Sequence, residues 1–199
     1  MIIAYHIIFT TYGTWLPNDP RGSFSKQIYN QKLALIAPIK YGKQENVPQR
    51  KKLGEFWSCA SKKLNHPPYF IDENAPQTIA DSFANTISGL KLTVPACAIM
   101  KDHIHILILR TKYNVGYIAN QLKSTATKNL NSKNAIWTQG YWKVFIDNAE
   151  TLKSAIEYIN SNPVWAGMPQ QNWKFISNPH LAAATRSGLK TPPQAAGAK

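Results

Sequence analysis

At 199 residues and 44% hydrophobic composition, the chain is long enough for one domain with a sizeable core. A formal net charge of +13 and a pI near 9.8 favour a polyanionic partner, with nucleic acid ahead of an anionic membrane surface. No apolar run approaches the roughly 18–20 residues of a bilayer span, and Cys59 and Cys97 lack the spacing of a zinc finger or disulfide scaffold, so a cytoplasmic protein with free thiols is expected.

The first element, Ile2 to Thr11, is apolar and β-prone, and it reads as a strand rather than a leader because it lacks a basic segment and contains His6. Gly13, Pro17, Asn18, Asp19, Pro20 and Gly22 then break the pattern. Residues 17–74 read as a long insertion, irregular apart from a helix-like stretch near Gln27 to Ile36. It exposes basic residues at Arg50, Lys51, Lys52, Lys62 and Lys63. From Ala75 the pattern is regular. Pro76 suits a first helical turn, and Ile79, Phe83 and Ile87 recur at fourfold spacing up to Gly89.

Lys91 to Met100 is a strand candidate, and Lys101-Asp102 makes a turn into a second strand starting at His103. In that strand Ile104, Ile106 and Ile108 face one way, while Leu107 and Leu109 continue the face of His103 and His105. Apolar character on both faces places it centrally in a sheet. A helix over Val115 to Leu130 turns Ile118 and Leu122 inward and offers Lys123 and Lys128 to phosphates. The aromatic stretch Ala135 to Ile146 is β-prone around a glycine. A last helix starts near Asn148 or Ala149 and is expected to stop at Pro163. Residues 1–178 form the expected domain, and residues 179–199, rich in Ala, Gly, Pro, Ser and Lys, form an expected disordered tail. The order of elements implies an α+β fold, an antiparallel sheet with helices on it in a ferredoxin-like or RRM-like plan.

Two features carry chemistry. His103 and His105 stand two apart on a strand, so both imidazoles project from one face and form half a site for a divalent metal. On the last helix Leu152, Ile156 and Ile159 make the core stripe; Tyr158 stands beside it with Asn162 four residues on. A phenol with a pKa near ~10 is a poor nucleophile unless activated. A cation held by His103, His105 and a third oxygen donor such as Asn162 would polarise a phosphodiester as a Lewis acid. Mg²⁺ or Mn²⁺ suits that donor set. Tyr117 and Tyr141 are rival nucleophiles on chemistry alone, and Tyr141 lacks a helical partner.

The strand Cys97-Ala-Ile-Met-Lys-Asp-His-Ile-His-Ile-Leu-Ile108 resembles the HUH motif of single-tyrosine transposases. Tyr158-Ile-Asn-Ser-Asn-Pro-Val164 with Ala166-Gly167 resembles the tyrosine helix of their REP-associated branch, and Trp137-Thr-Gln-Gly-Tyr-Trp142 the segment before it. The opening Tyr5-His6 through Thr10-Thr11-Tyr12-Gly13-Thr14-Trp15-Leu16-Pro17 is also similar to a first strand in that family. Met100-Lys101-Asp102 departs from the Met-Pro-Asn common there, which is expected to alter only the turn.

The resemblance implies the HUH endonuclease fold and a metal-dependent single-stranded DNA endonuclease and strand transferase acting on hairpin-flanked DNA. It makes Tyr158 the nucleophile of a 5′-phosphotyrosine intermediate, and His103, His105 and Asn162 the ligands of Mg²⁺ or Mn²⁺. Arg50, Lys51, Lys52, Lys123 and Lys128 are the candidate DNA contacts, and Trp137, Tyr141 or Trp142 candidate base-stacking groups. A nucleoid-associated location and either a monomer or a homodimer are compatible with it. The competing class is a non-catalytic module that holds hairpin DNA or RNA on an RRM-like sheet. A replication or conjugation initiator is a third, disfavoured by the absence of a helicase-like domain.

Overall fold

The computed structural model describes residues 1–28 and 30–177; the expected tail at 179–199 lies outside them. Four strands, β1 (Ala4–Thr10), β2 (Ala96–Ile99), β3 (His103–Leu109) and β4 (Trp142–Ile146), form one antiparallel sheet in the order β2-β3-β1-β4. The helices are α1 (Gln31–Ala34), α2 (Arg50–Ser61), α3 (Ala75–Gly89), α4 (Val115–Leu130) and α5 (Ala149–Trp165). From β1 onward, leaving out α1 and α2, this is the split βαβ order of ferredoxin-like folds, as the sequence predicts.

Alternation along β3 builds two cores. Ile104, Ile106 and Ile108 join Ile7 and Phe9 against Ile79 and Phe83 of α3 and Ile118 and Leu122 of α4. On the other face Leu107, Ala4, Ala96, Ala98 and Ile146 pack with Ile159 of α5. Each isoleucine sealed this way contributes about 1.5–3 kcal/mol of burial, so β3 cannot slip by one residue without exposing a whole row. Helix starts follow side-chain chemistry: Asn114 accepts from the Gly116 amide at 2.7 Å, and Asn148 from the Thr151 amide at 2.8 Å.

Three expectations are corrected. The strand over 91–100 is shorter, Ala96–Ile99, because Lys91 has a left-handed φ of 51° and Pro95 lacks an amide donor. The last helix passes through Pro163 and ends after Trp165. Proline costs one hydrogen bond there but has helical φ, and the true stop is Gly167, at φ 71°, with the Met168 amide donating to the Pro163 carbonyl at 2.8 Å. Within 17–74, Gln31–Ala34 falls inside the expected helix, but α2 arises where the sequence reads as irregular. Only Phe56 and Ala60 of α2 are buried, against Leu16 and Leu33, so its apolar stripe is too thin to read.

Candidate functional site

The antiparallel register sets the site. Ile8 pairs with His105 and Thr10 with His103, so His6, Ile8 and Thr10 share a face with both histidines. α5 lies on that face over β2 and β3. This places the Tyr158 ring edge-on to His105 at a centroid distance of 5.6 Å and to His6 at 6.3 Å. Tyr158 is 45% exposed, which leaves it open to an incoming group. The convergence expected of the paired imidazoles and the tyrosine helix is therefore present.

The imidazoles form a chain. His6 Nε2 lies 2.9 Å from His105 Nδ1, and His105 Nε2 lies 3.0 Å from His103 Nε2. His103 Nδ1 lies 2.6 Å from Asp102 Oδ1. An ionised carboxylate only accepts, so the neutral His103 ring carries its hydrogen on Nδ1 and a lone pair on Nε2. His105 then has two arrangements. Protonated on Nε2, it donates to His103 and accepts from His6. Protonated on Nδ1, it donates to His6 and turns a second lone pair toward His103. The latter needs a cation between the two nitrogens. Two donors each about 2.1 Å from one ion at a right angle are separated by roughly 3.0 Å, so the pair fits a small divalent ion.

Burial keeps His6 and His105 neutral. Desolvation lowers the pKa of His105 to about 3, helped by the charges of His103 and His6 and opposed by Asp102. Desolvation likewise lowers His6 to about 4. For Asp102, burial alone acts upward. The His103 hydrogen bond and charge outweigh it with help from Arg21, and the carboxyl is held below its usual range.

The turn before His103 is clamped from β1. The Asp102 carbonyl accepts from the Thr11 amide at 2.8 Å, the Thr11 hydroxyl at 3.0 Å and the Thr14 hydroxyl at 3.1 Å. The segment Thr10-Thr11-Tyr12-Gly13-Thr14 therefore seats the turn that leads into the histidine pair. His6, Asp102, Thr11 and Thr14 are the site residues that sequence reasoning missed. The departure at Asp102 does more than reshape the turn, because it orients His103. Only the β1–β3 register could have linked His6 to His105.

Asn162 follows Tyr158 by one turn, and its amide donates to the Tyr158 carbonyl at 2.9 Å, bonding along its own helix rather than to the histidines. Among the described residues, no group of three or more His, Cys, Asp or Glu side chains is placed to hold a metal. Beyond the two imidazoles, further donors would be amide, water or substrate oxygens.

The basic candidates divide. Arg50, Lys51, Lys52 and Lys128 are exposed. Lys123 is not a surface cation: it is buried, its ammonium donates to the carbonyls of Thr138 (2.9 Å) and Gly140, and it lies over the Phe9 ring. Desolvation lowers its pKa to about 8. Among the aromatics, Trp137 packs edge-on to Phe9 and donates to the Lys123 carbonyl, Tyr141 packs on the same core, and Tyr117 stacks on Tyr113. Trp142 alone of the stacking candidates faces the histidine side, across Ile8 from His105. A cleft of about 660 Å³ lined by Leu90, Lys91, Arg110 and Tyr113 lies beyond the far end of β3, away from this chemistry.

Comparison with known proteins bears on the fold and on the family that the chain resembles. Residues 65–162 match the family described as "Transposase IS200 like". A structure of a REP-associated tyrosine transposase bound to a REP hairpin shares the fold at 13% identity and a TM-score of 0.50, covering 99% of this chain and 92% of that one. A candidate transposase from Deinococcus radiodurans R1 is 12% identical with a TM-score of 0.36, over 80% of this chain and 89% of that one. No curated protein sequence matches. The matched stretch, residues 65–162, holds His103, His105, Tyr158 and Asn162 and resembles the IS200-like transposases.

Proposed function

We propose that the protein is a metal-dependent single-stranded DNA endonuclease and strand transferase, acting on hairpin-flanked DNA through a covalent phosphotyrosine. The observation that carries this reading is the Tyr158 ring 5.6 Å from His105, whose Nε2 lies 3.0 Å from that of His103. His103 and His105 would hold Mg²⁺ or Mn²⁺, with Asn162 as a third ligand through its amide oxygen. When bound, the ion supplies Lewis-acid polarisation of the scissile phosphate.

The chain's own residues do the rest. Asp102 and His6 fix the two rings from behind, and Thr11 and Thr14 hold the turn. Tyr158 presents its oxygen from a rigid helix. Its Oη–P bond forms as the P–O3′ bond breaks, and the phenolic proton is balanced by the one gained by the 3′-hydroxyl. Reversal by a second 3′-hydroxyl reseals the strand with no other energy source, because the ester bond is conserved.

Exposed Arg50, Lys51, Lys52 and Lys128 would contact the backbone. The first three crowd the opening turn of α2, where no acidic residue offsets the helix dipole. A polyanion would relieve that local cost. The solved relative bound to a REP hairpin supports hairpin DNA as the substrate class.

The test incubates wild-type protein and Tyr158→Phe with single-stranded hairpin oligonucleotides and Mg²⁺ or Mn²⁺, then resolves denaturation-resistant adducts. Wild type is expected to form an adduct and the variant none, with DNA affinity within a few-fold. Binding without adduct from either protein would favour the non-catalytic module instead.

A further inference from the structure

The insertion carries an aromatic feature that the catalytic reading does not use. Phe24 stacks on Trp142 with centroids 4.5 Å apart and planes at 27°, and Tyr41 meets Phe24 edge-on at 6.0 Å. The three rings stay 52%, 43% and 55% exposed for Phe24, Trp142 and Tyr41. Rings clustered for burial alone would not leave about half of each in water.

Their placement is built. Ser23 and Tyr41 form a parallel bridge, with the Ser23 amide donating to the Lys40 carbonyl at 2.8 Å and the Gly42 amide to the Ser23 carbonyl at 2.9 Å. Asp19, fully buried, accepts from Arg21 at its amide, Nε and Nη2 and so locks the turn below. Trp142 sits on the histidine face, two strand spacings from His105 through Ile8, or roughly 10 Å. Extended single-stranded DNA covers that in one or two nucleotides. Between Phe24 and Gln44 the chain carries Lys26, Lys32, Lys40 and Lys43 and no acidic residue, so the charge of that stretch suits a phosphate backbone.

We propose that Phe24, Tyr41 and Trp142 form a stacking ledge for unpaired bases of single-stranded DNA adjoining the phosphate held at the His103–His105–Tyr158 centre. The inference rests on the reading of that centre as a DNA-processing site. Aromatic rings beside a basic track bind single strands by offering a π face to any base. The ledge gives the insertion a substrate role and contributes little sequence preference.

The experiment uses the full chain and three probes: a DNA hairpin with a short oligothymidine tail, the same hairpin with an abasic tail, and the blunt hairpin. Abasic and thymidine tails carry equal phosphate charge, so their affinity ratio isolates the bases. Wild type is expected to prefer the thymidine tail by at least about fivefold, the effect of one stacked base. Phe24→Ala and Trp142→Leu should bring the ratio close to one while leaving blunt-hairpin affinity unchanged. Phe24→Leu, apolar but unable to stack, should behave as Phe24→Ala.

A wild-type ratio of one, or variants that retain the wild-type ratio, would overturn the ledge. So would self-association that is lost in Phe24→Ala while the ratio is kept. Adduct formation by wild type reports separately on the Tyr158 reading: adduct with an unchanged ratio sinks the ledge alone, and a base-dependent ratio without adduct sinks only the nuclease.

Discussion

Asp102 Oδ1 and His103 Nδ1 lie 2.6 Å apart, a short charge-assisted hydrogen bond at the mouth of the histidine pair. It sets which nitrogen of His103 faces His105. It also adds negative charge behind a would-be ligand, which raises the ligand's donor strength.

Replacing that carboxylate therefore has a defined consequence. Asp102→Asn, which can accept through its oxygen but carries no charge, is expected to weaken Mn²⁺ binding about tenfold or more. Calorimetry or Mn²⁺ electron paramagnetic resonance reads this without any turnover. Unchanged affinity would mean that the carboxylate merely shapes the turn.

The buried imidazoles make the fold acid-sensitive. His6 and His105 have folded pKa values of about 4 and about 3, below the 6.5 of an unfolded chain. Between those limits the unfolded state binds more protons, so stability rises with pH and falls on acidification. From pH 7 to 5 the loss is about 2 kcal/mol for each ring. Thermal melts of wild type should drop over that range, and His6→Gln should show a shallower drop. Parallel curves would refute the assignment.

Gly22 has φ 96°, and a Cβ there would stand 1.8 Å from the Gly42 carbonyl oxygen. Neither the torsion nor the space admits alanine. Gly22→Ala should separate the two segments that carry Phe24 and Tyr41. The expected readouts are faster proteolysis within residues 20–45 and loss of the thymidine-tail preference, with the sheet intact by circular dichroism.

Lys123 and Lys128 lie on one helix but should answer differently. Lys128→Ala, removing an exposed cation, is expected to reduce the salt dependence of DNA binding by about one unit of slope. Lys123→Met should leave that slope alone and lower stability by about 1–3 kcal/mol, because carbonyls of Thr138 and Gly140 lose their donor. Equal slope changes would restore Lys123 as a phosphate contact.

The linear pattern of residues determined the long elements and the chemistry on offer. α3 and α4 lie where fourfold apolar spacing and end signals place them. β3 is central because both of its faces are apolar, and the His103–His105 and Tyr158–Asn162 pairs follow from period-two and period-four geometry alone. These are local facts, encoded within a few residues.

Tertiary structure alone decided everything that depends on register between distant strands. It brought His6 to His105 and clamped Asp102 with Thr11 and Thr14. It also buried Lys123 under the 138–140 loop and laid Phe24 on Trp142. The Lys123 contacts span only 15 and 17 residues but join a helix to a loop, and the other partners lie 88 to 118 residues apart; neither leaves a periodic trace, since such a contact constrains each residue only through its neighbour's shape and charge.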